Sequence, residues 1–116
     1  ESVSIDMGSL IRQIKSLGDQ SRLEMLCSIK DKPTYGQELS NKFSVSSTTV
    51  YHHMNKLIVA GLVDSTLDGN KVYFTMNRAN VITFISRLCI VCDAAENDEL
   101  RHRTPTEAAS EITSEQ

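Results

Sequence analysis

The chain has 116 residues, 40% of them hydrophobic, which suits one domain with a modest core. With three Tyr, three Phe and no Trp, that core must be mainly aliphatic. No run approaches the roughly 18 apolar residues of a membrane span, and no segment resembles a secretory leader. We therefore expect no membrane partner.

The net charge of −3 is unevenly distributed. Residues 1–92 carry ten Lys and Arg against eight Asp and Glu, whereas residues 93–116 carry two Arg against seven acids. The acidity therefore belongs to the end of the chain, and the mildly basic remainder does not exclude a nucleic acid. Three cysteines without framework spacing are typical of a reducing compartment, so we expect a cytoplasmic protein.

Three helices are predicted in the first 43 residues. Apolar residues at three- and four-residue spacing predict the first helix over residues 5–17, and Gly18 ends it. Asp19 is placed as the N-cap of the second helix. Thr34 and Gln37 have the spacing of a capping box for a short third helix.

The stretch from Ser46 to Asn70 is the most informative. Ser46 or Ser47 caps a fourth helix that runs to about Val59, and Gly61 stands where a left-handed residue ends a helix. Strands are predicted over residues 62–66 and 71–76, joined through a turn at Asp68-Gly69. A helix followed by a hairpin predicts a mainly α fold with a small β-hairpin, the winged helix-turn-helix.

In this fold the second helix of the helix-turn-helix enters the major groove of DNA. Hydroxyl, amide, imidazole and ammonium groups on its outward face can contact base edges or phosphates, and the hairpin forms a wing. We therefore expect double-stranded DNA as the partner. The predicted contacts are Ser46, Ser47, Thr48, Thr49, Tyr51, His52, Asn55 and Lys56 on the helix, and Asn70 and Lys71 on the wing. His53 faces inward and is interpreted as a structural, hydrogen-bonded histidine.

A last helix, capped by Asn77 and running over residues 79–95, is apolar on more than one face. Because so small a chain can cover only one of those faces, we expect a homodimer through the first and last helices. The predicted interface residues are Leu10, Ile11, Ile14, Val81, Ile82, Ile85, Leu88 and Cys89. Residues 1–97 would form the DNA-binding and dimerisation domain, and residues 98–116 an acidic, flexible tail.

Other functions have less support in the sequence. No phosphate-binding glycine loop, nucleophile elbow or catalytic carboxylate pair is present, so we expect neither an enzyme nor a cofactor. Arg22, beside Asp19 and Glu24, is interpreted as part of a salt bridge at a helix start. A winged helix used for protein–protein assembly is the alternative, although assembly surfaces favour apolar anchors over hydroxyl groups.

Cys89 and Cys92 lie one turn apart on the last helix. The interpretation we favour is two small core residues. The alternative is a thiol pair that senses a soft metal ion or an oxidant, since thiolates are the ligands that such ions prefer. Two sulfurs do not complete a zinc shell, so no metal site is predicted.

Residues 17–26, the Glu38-Leu39-Ser40 helix, residues 46–57 and 60–63, and the wing over residues 69–77 together resemble the ArsR/SmtB repressors. The resemblance covers about sixty residues. It implies a homodimer with paired recognition helices on a palindromic operator, and repression of transcription.

Many members of that family release DNA when they bind a metal. By the resemblance, one metal site would fall on the third helix and another on the last helix. The matching positions are Tyr35, Gln37 and Ser40 for the first site, and Arg78, Asn80, Val91 and Ala94 for the second. None of them is a thiolate, and they form no imidazole–carboxylate set. Metal sensing at those sites is therefore not expected.

Overall fold

Five helices and a three-stranded antiparallel sheet are found in the part of the chain that this computed structural model describes, residues 5–102, with side chains described to residue 96. In chain order they are α1 (Met7–Ser16), α2 (Gln20–Ser28), β1 (Thr34–Tyr35), α3 (Gly36–Phe43), α4 (Ser47–Val59), β2 (Val63–Asp68), β3 (Lys71–Met76) and α5 (Arg78–His102). The predicted order of four helices, a hairpin and a last helix is confirmed, and β1 is an addition.

The chain divides into two compact units, residues 1–85 and 86–116. The first contains α1 to β3 and the start of α5, and the described part of the second is the continuation of that helix. Helix α5 ends at His102, seven residues beyond the predicted end, so residues 98–102 of the predicted tail are helical. The rest of the tail lies outside the described residues. Within residues 5–102, no helix is both long and apolar enough to cross a membrane.

Side-chain caps fix where most of the helices begin. The Asp19 carboxylate accepts the backbone N–H of Arg22 at 3.0 Å, and Asn77 Oδ1 accepts that of Asn80 at 3.0 Å, both as predicted. The Arg22 N–H is also the main reason that the pKa of the Asp19 carboxyl lies below its usual value. Each cap satisfies a backbone donor that the first helical turn leaves without a partner.

The start of α3 differs from the prediction by one residue. Thr34 and Tyr35 pair with Phe74 and Tyr73 of β3, so the predicted Thr34 cap is part of a strand instead. Tyr35 is the N-cap, and its backbone N–H donates to Glu38 Oε1 at 2.9 Å. The capping box predicted at Thr34 and Gln37 is thus displaced by one residue to Tyr35 and Glu38, because an extended segment beside β3 gains backbone hydrogen bonds that the sequence pattern does not reveal.

The core of the first unit is aliphatic apart from two phenylalanines, as the composition predicted. Val50, Met54 and Leu57 form the inner stripe of α4, and all three are fully buried. Other fully or nearly fully buried side chains come from α1, α2, α3, both long strands, and the residues that follow α2 and precede β2: Leu10, Met25, Ile29, Leu39, Leu62, Val63 and Phe74. The side of α4 opposite this stripe is thereby left facing outward.

A left-handed glycine ends α4 and directs the chain into the wing. Gly61 has φ +81°, as predicted, and its N–H donates to Ile58 O at 2.9 Å. The next N–H, that of Leu62, donates to Leu57 O at 3.0 Å, which completes a Schellman motif. These two hydrogen bonds fix the direction in which β2 leaves the helix.

The wing is longer than predicted. Strand β2 extends to Asp68, which pairs with Lys71, so the turn consists of Gly69 and Asn70 and not of Asp68 and Gly69. Gly69 has φ +65°. Glycine at the first central position of a two-residue loop is typical of a type II′ turn, whose twist matches that of the strands. The predicted turn was one residue early because Asp-Gly and Gly-Asn are both turn pairs.

The connection between α3 and α4 contains the one non-glycine residue with positive φ in the described chain. Ser44 has φ +56° and ψ +44°, and its N–H donates to Asn41 O. For a residue with a Cβ, this region costs about 1–2 kcal/mol. The left-handed backbone at Ser44 ends α3 and turns the chain so that α4 packs against α3.

We expect Ser44→Gly to stabilise the protein by about 0.5–1 kcal/mol. It removes the left-handed penalty but adds freedom to the unfolded chain, which offsets part of the gain. Urea unfolding should show a higher midpoint with an unchanged slope. Ser44→Ala is the control, since it keeps a Cβ and should not stabilise; equal midpoints for the two variants would contradict this explanation.

Candidate nucleic-acid interface

The outward face of α4 carries the predicted DNA contacts. Its exposed positions lie opposite to the buried stripe and are Ser47, Thr48, Tyr51, His52, Asn55, Lys56 and Val59. Val59, 71% exposed, is apolar and is not among the predicted contacts. Because the buried stripe prevents rotation of the helix, these side chains share one surface of the protein. That surface combines hydrogen-bond donors, acceptors and one ammonium group.

The hydroxyl groups at the start of α4 have two different roles. Ser46 Oγ accepts the backbone N–H of Thr49 at 3.1 Å and lies 3.0 Å from Thr49 Oγ1, so this pair caps the helix. In the described part of the chain, the side chains of Ser47 and Thr48 are exposed and form no hydrogen bond. Of the four predicted hydroxyl contacts, Ser47 and Thr48 are therefore the ones that keep full hydrogen-bonding capacity.

Tyr51 belongs partly to the protein interior. Its ring meets the Phe74 ring edge-on, with centroids 5.6 Å apart and planes at 67°. A Cβ added to Gly36 would lie 3.4 Å from the Tyr51 hydroxyl, so the ring passes close to the start of α3. Tyr51 thus connects α4 with α3 and β3 while 37% of the residue stays exposed.

His53, the inward histidine, is half-buried and hydrogen-bonded. Arg22 Nη1 lies 3.3 Å from His53 Nδ1, and because a guanidinium can only donate, Nδ1 is the acceptor of this hydrogen bond. Arg22 Nε donates to Ser16 O at 2.7 Å. One guanidinium therefore joins the end of α1 to α4 from its place on α2.

The predicted salt bridge of Arg22 is therefore wrong. Asp19 accepts the Arg22 backbone N–H, Glu24 accepts Gln20 Nε2 at 3.0 Å, and the salt bridge found among the described residues is Lys30–Asp31. Because Asp19 and Glu24 are close to Arg22 in sequence, their carboxylates were predicted to pair with its guanidinium. The fold instead places a carbonyl and an imidazole where the guanidinium can reach both.

The predicted wing residues Asn70 and Lys71 are both exposed. Lys71 Nζ lies 5.0 Å from the centroid of the Tyr35 ring, which in turn packs on Tyr73 at 5.8 Å. A cation over a tyrosine face is held by about 0.5–1 kcal/mol at an exposed site. The Tyr35 contact, which the sequence did not reveal, orients a positive charge at the tip of the wing.

The predicted dimer surface is only partly available to a partner. Ile11 and Ile14 are 41% and 39% exposed, and Ile82 and Ile85 are 59% and 53% exposed. Val81 is half-buried, and Leu10 is 1% exposed because it packs in the core of its own unit, so Leu10 has no surface left for a partner. In the second unit Leu88 is half-buried and Cys89 is exposed.

Four of the seven positions that match the family's metal sites form side-chain hydrogen bonds within the protein. Gln37 Nε2 donates to Asn41 Oδ1, and the Ser40 hydroxyl donates to Val45 O. Arg78 Nη1 donates to Lys30 O, and Asn80 Nδ2 donates to Gly61 O at 2.8 Å. Among the described residues, no group of three or more His, Cys, Asp or Glu side chains is placed to hold a metal ion.

Comparison with known proteins gives consistent results. The sequence profile of the arsR family of bacterial regulatory proteins matches residues 19–65. The arsenical resistance operon repressor of Staphylococcus aureus is 35% identical over 78 residues, 67% of this chain and 75% of that protein. The transcriptional activator HlyU of Vibrio cholerae is 27% identical over 75 residues, 65% of this chain and 69% of that protein.

Solved structures show the same fold. An ArsR-like transcriptional regulator from Rhodococcus superposes with a TM-score of 0.70 at 22% identity, over 82% of this chain and 89% of the other. A homodimeric winged helix-turn-helix DNA-binding domain from Mycobacterium bovis superposes with a TM-score of 0.63 at 19% identity, over 90% of this chain and 99% of that domain. Helix α4 and the wing formed by β2 and β3 are thus parts of a winged helix-turn-helix.

Proposed function

This chain belongs to the ArsR family of transcriptional regulators, and we propose that it represses transcription as a homodimer bound to a palindromic operator. The observation that carries the proposal is the outward face of α4, with exposed Ser47, Thr48, His52 and Asn55 beside a wing that carries Lys71. Side chains of these types can donate to and accept from base edges.

Repression is the direction that we favour. The relative at 35% identity is named a repressor, whereas the relative at 27% identity is named an activator. Dimerisation is supported by the exposed isoleucines of α1 and α5, since apolar side chains of this size are seldom left to solvent in a group. A twofold dimer presents two recognition helices, so its preferred operator is an inverted repeat.

The direct test is selection of bound duplexes from a random pool. We expect an inverted repeat whose half-sites are about 10 base pairs apart, one helical turn. Enrichment of a single half-site would contradict the dimeric arrangement. A protein that enriches no sequence and binds no random duplex at low salt would favour the protein–protein assembly module.

Base reading should depend on Thr48 and His52. We expect Thr48→Ala and His52→Ala each to weaken operator binding by about 1–3 kcal/mol for each base that is no longer contacted, with little change on random duplex. Alanine is the better helix former, so α4 remains folded in both variants. Fluorescence anisotropy with operator and random duplexes measures the difference; wild-type affinity in both variants would mean that the base-reading face has been wrongly assigned.

The wing should contribute affinity without sequence preference. Lys71→Ala is expected to weaken operator and random duplex by the same factor and to reduce the salt dependence of both. The Lys71–Tyr35 contact is worth at most about 1 kcal/mol, so folding is preserved. A selective loss of operator binding would instead indicate that the wing reads bases.

Dimerisation should fail in Ile85→Glu. Ile85 is 53% exposed in the single chain, so a glutamate is accommodated in the folded protomer but would be buried without a partner in the dimer. Sedimentation equilibrium should give about the 12.9 kDa of one chain instead of twice that mass, with unchanged circular dichroism. Leu67→Glu, at a wing position that is 69% exposed, is the matched control and should remain dimeric.

Thiol sensing is the second candidate function, because Cys89 and Cys92, which the sequence suggested as core residues, are not buried within the single chain. Cys27, Cys89 and Cys92 are all exposed in the single chain, and the last two lie one turn apart on α5. A soft ion can bridge two thiolates at that spacing.

We expect zinc, cadmium and arsenite to leave the operator complex intact, unless they act through Cys89 and Cys92. The test is titration of the complex with each metal, for the wild type and for the Cys89→Ser, Cys92→Ser double variant. Release that the double substitution abolishes would establish the thiol sensor. Release by sub-stoichiometric zinc that survives it would show that another ligand set exists.

A further inference from the structure

A cleft of about 650 Å³ lies between α1, the start of α2 and the outward face of α4. Arg12, Lys15, Arg22 and Lys56 line it with positive charge, and neither Asp nor Glu contributes to its walls. The salt bridge found in the described chain involves Lys30 and lies elsewhere. The Asp19 carboxylate lies outside the cleft walls but close enough to interact electrostatically with Arg22. Four positive side chains thus outnumber the one nearby carboxylate, and this excess of positive charge favours an anion in the cleft.

One of these cations is already held in place. Arg22 uses two N–H groups, one to Ser16 O at 2.7 Å and one to His53 Nδ1 at 3.3 Å. A guanidinium has five such donors, so three remain for a ligand. Because its position is fixed before any ligand arrives, Arg22 loses little side-chain entropy on binding.

Helix α1 has a buried face, an exposed apolar face and a basic face, and the basic face lines the cleft. Each residue turns the helix by about 100°, which separates the three sets of side chains. Leu10, Gln13 and Ser16 are buried, and Met7, Ile11 and Ile14 form the exposed apolar face. Arg12 and Lys15 lie three residues apart on the remaining side, which lines the cleft.

We propose that this cleft receives a backbone phosphate of the bound DNA, so that α1 contributes Arg12 and Lys15 to DNA binding. The inference rests on the proposed function through two residues: His52 and Asn55 belong to the predicted base-reading face and also line the cleft. Strands of phosphate border the major groove, so a duplex that reaches these side chains brings a phosphate beside them. A phosphate is the anion that arginine and lysine contact most effectively.

The test compares two double variants that remove the same charge. Arg12→Gln with Lys15→Gln alters the cleft, and Lys30→Gln with Lys32→Gln alters exposed lysines that do not line it. Binding of operator and random duplexes is measured at salt concentrations from about 50 to about 200 mM, the range over which phosphate neutralisation changes affinity steeply. Sedimentation first confirms that both variants have the oligomeric state of the wild type.

For the cleft variant, the slope of log K against log salt should become shallower by about 0.9 for each phosphate that the protein no longer neutralises, on both duplexes. The ratio of operator to random affinity should be unchanged, because a phosphate contact carries no sequence information. The Lys30, Lys32 variant should keep the wild-type slope. An unchanged slope in the cleft variant, or an equal change in both variants, would overturn the proposal.

A free anion is the other source of a phosphate group. Inorganic phosphate, titrated at constant ionic strength without DNA, would shift the amide resonances of Arg12, Lys15 and Lys56 if the cleft bound a small ligand. Such shifts, together with an unchanged salt slope in the cleft variant, would show that the ligand of the cleft is a free phosphate and not a phosphate of the DNA backbone. If operator binding is lost in Thr48→Ala and His52→Ala but normal in the cleft variant, the proposed function stands and the cleft assignment alone is wrong.

Discussion

Burial of one stripe of α4 is the constraint on which the rest of the protein depends. Val50, Met54 and Leu57 are completely withdrawn from solvent. Burial of each such side chain contributes about 1.5–3 kcal/mol of hydrophobic stabilisation. Turning the helix by one residue would expose part of this stripe, and the free energy of that change forbids it. The opposite face is therefore held toward the outside, and Tyr51 on that face adds a contact with Phe74.

The ends of α4 convert that fixed rotation into a fixed site. At the first turn of α4, Ser46 accepts the backbone N–H of Thr49 and lies within hydrogen-bond distance of its hydroxyl. After the last turn, the Schellman hydrogen bonds at Gly61 direct β2 away from the helix. The wing also packs directly against α4, because the Tyr51 ring of α4 contacts the Phe74 ring of β3. Helix α4 and the wing are thus parts of one packed unit, and a duplex would meet a preformed surface, which lowers the entropy cost of binding.

Helix α1 illustrates how few residues serve several purposes in so small a chain. One face packs in the core, one exposes isoleucines, and one lines a basic cleft with α4. The guanidinium of Arg22 joins the end of this helix to the recognition helix through Ser16 O and His53. These two hydrogen bonds connect the end of α1 to α4 in addition to the packing between the two helices.

The sequence by itself determined the order of the elements, the inner stripe of α4 and the left-handed residue at Gly61. These depend on periodicity and on glycine geometry, which are local properties. Only the tertiary structure decided that Thr34 joins a strand, that Arg22 binds His53 in place of Asp19, and that Leu10 is core while Ile11 is not. It also brought Arg12 and Lys15 to the same cleft as His52, which is far away along the chain. Each of these outcomes depends on a partner that is distant in sequence, and no local pattern encodes where such a partner will lie.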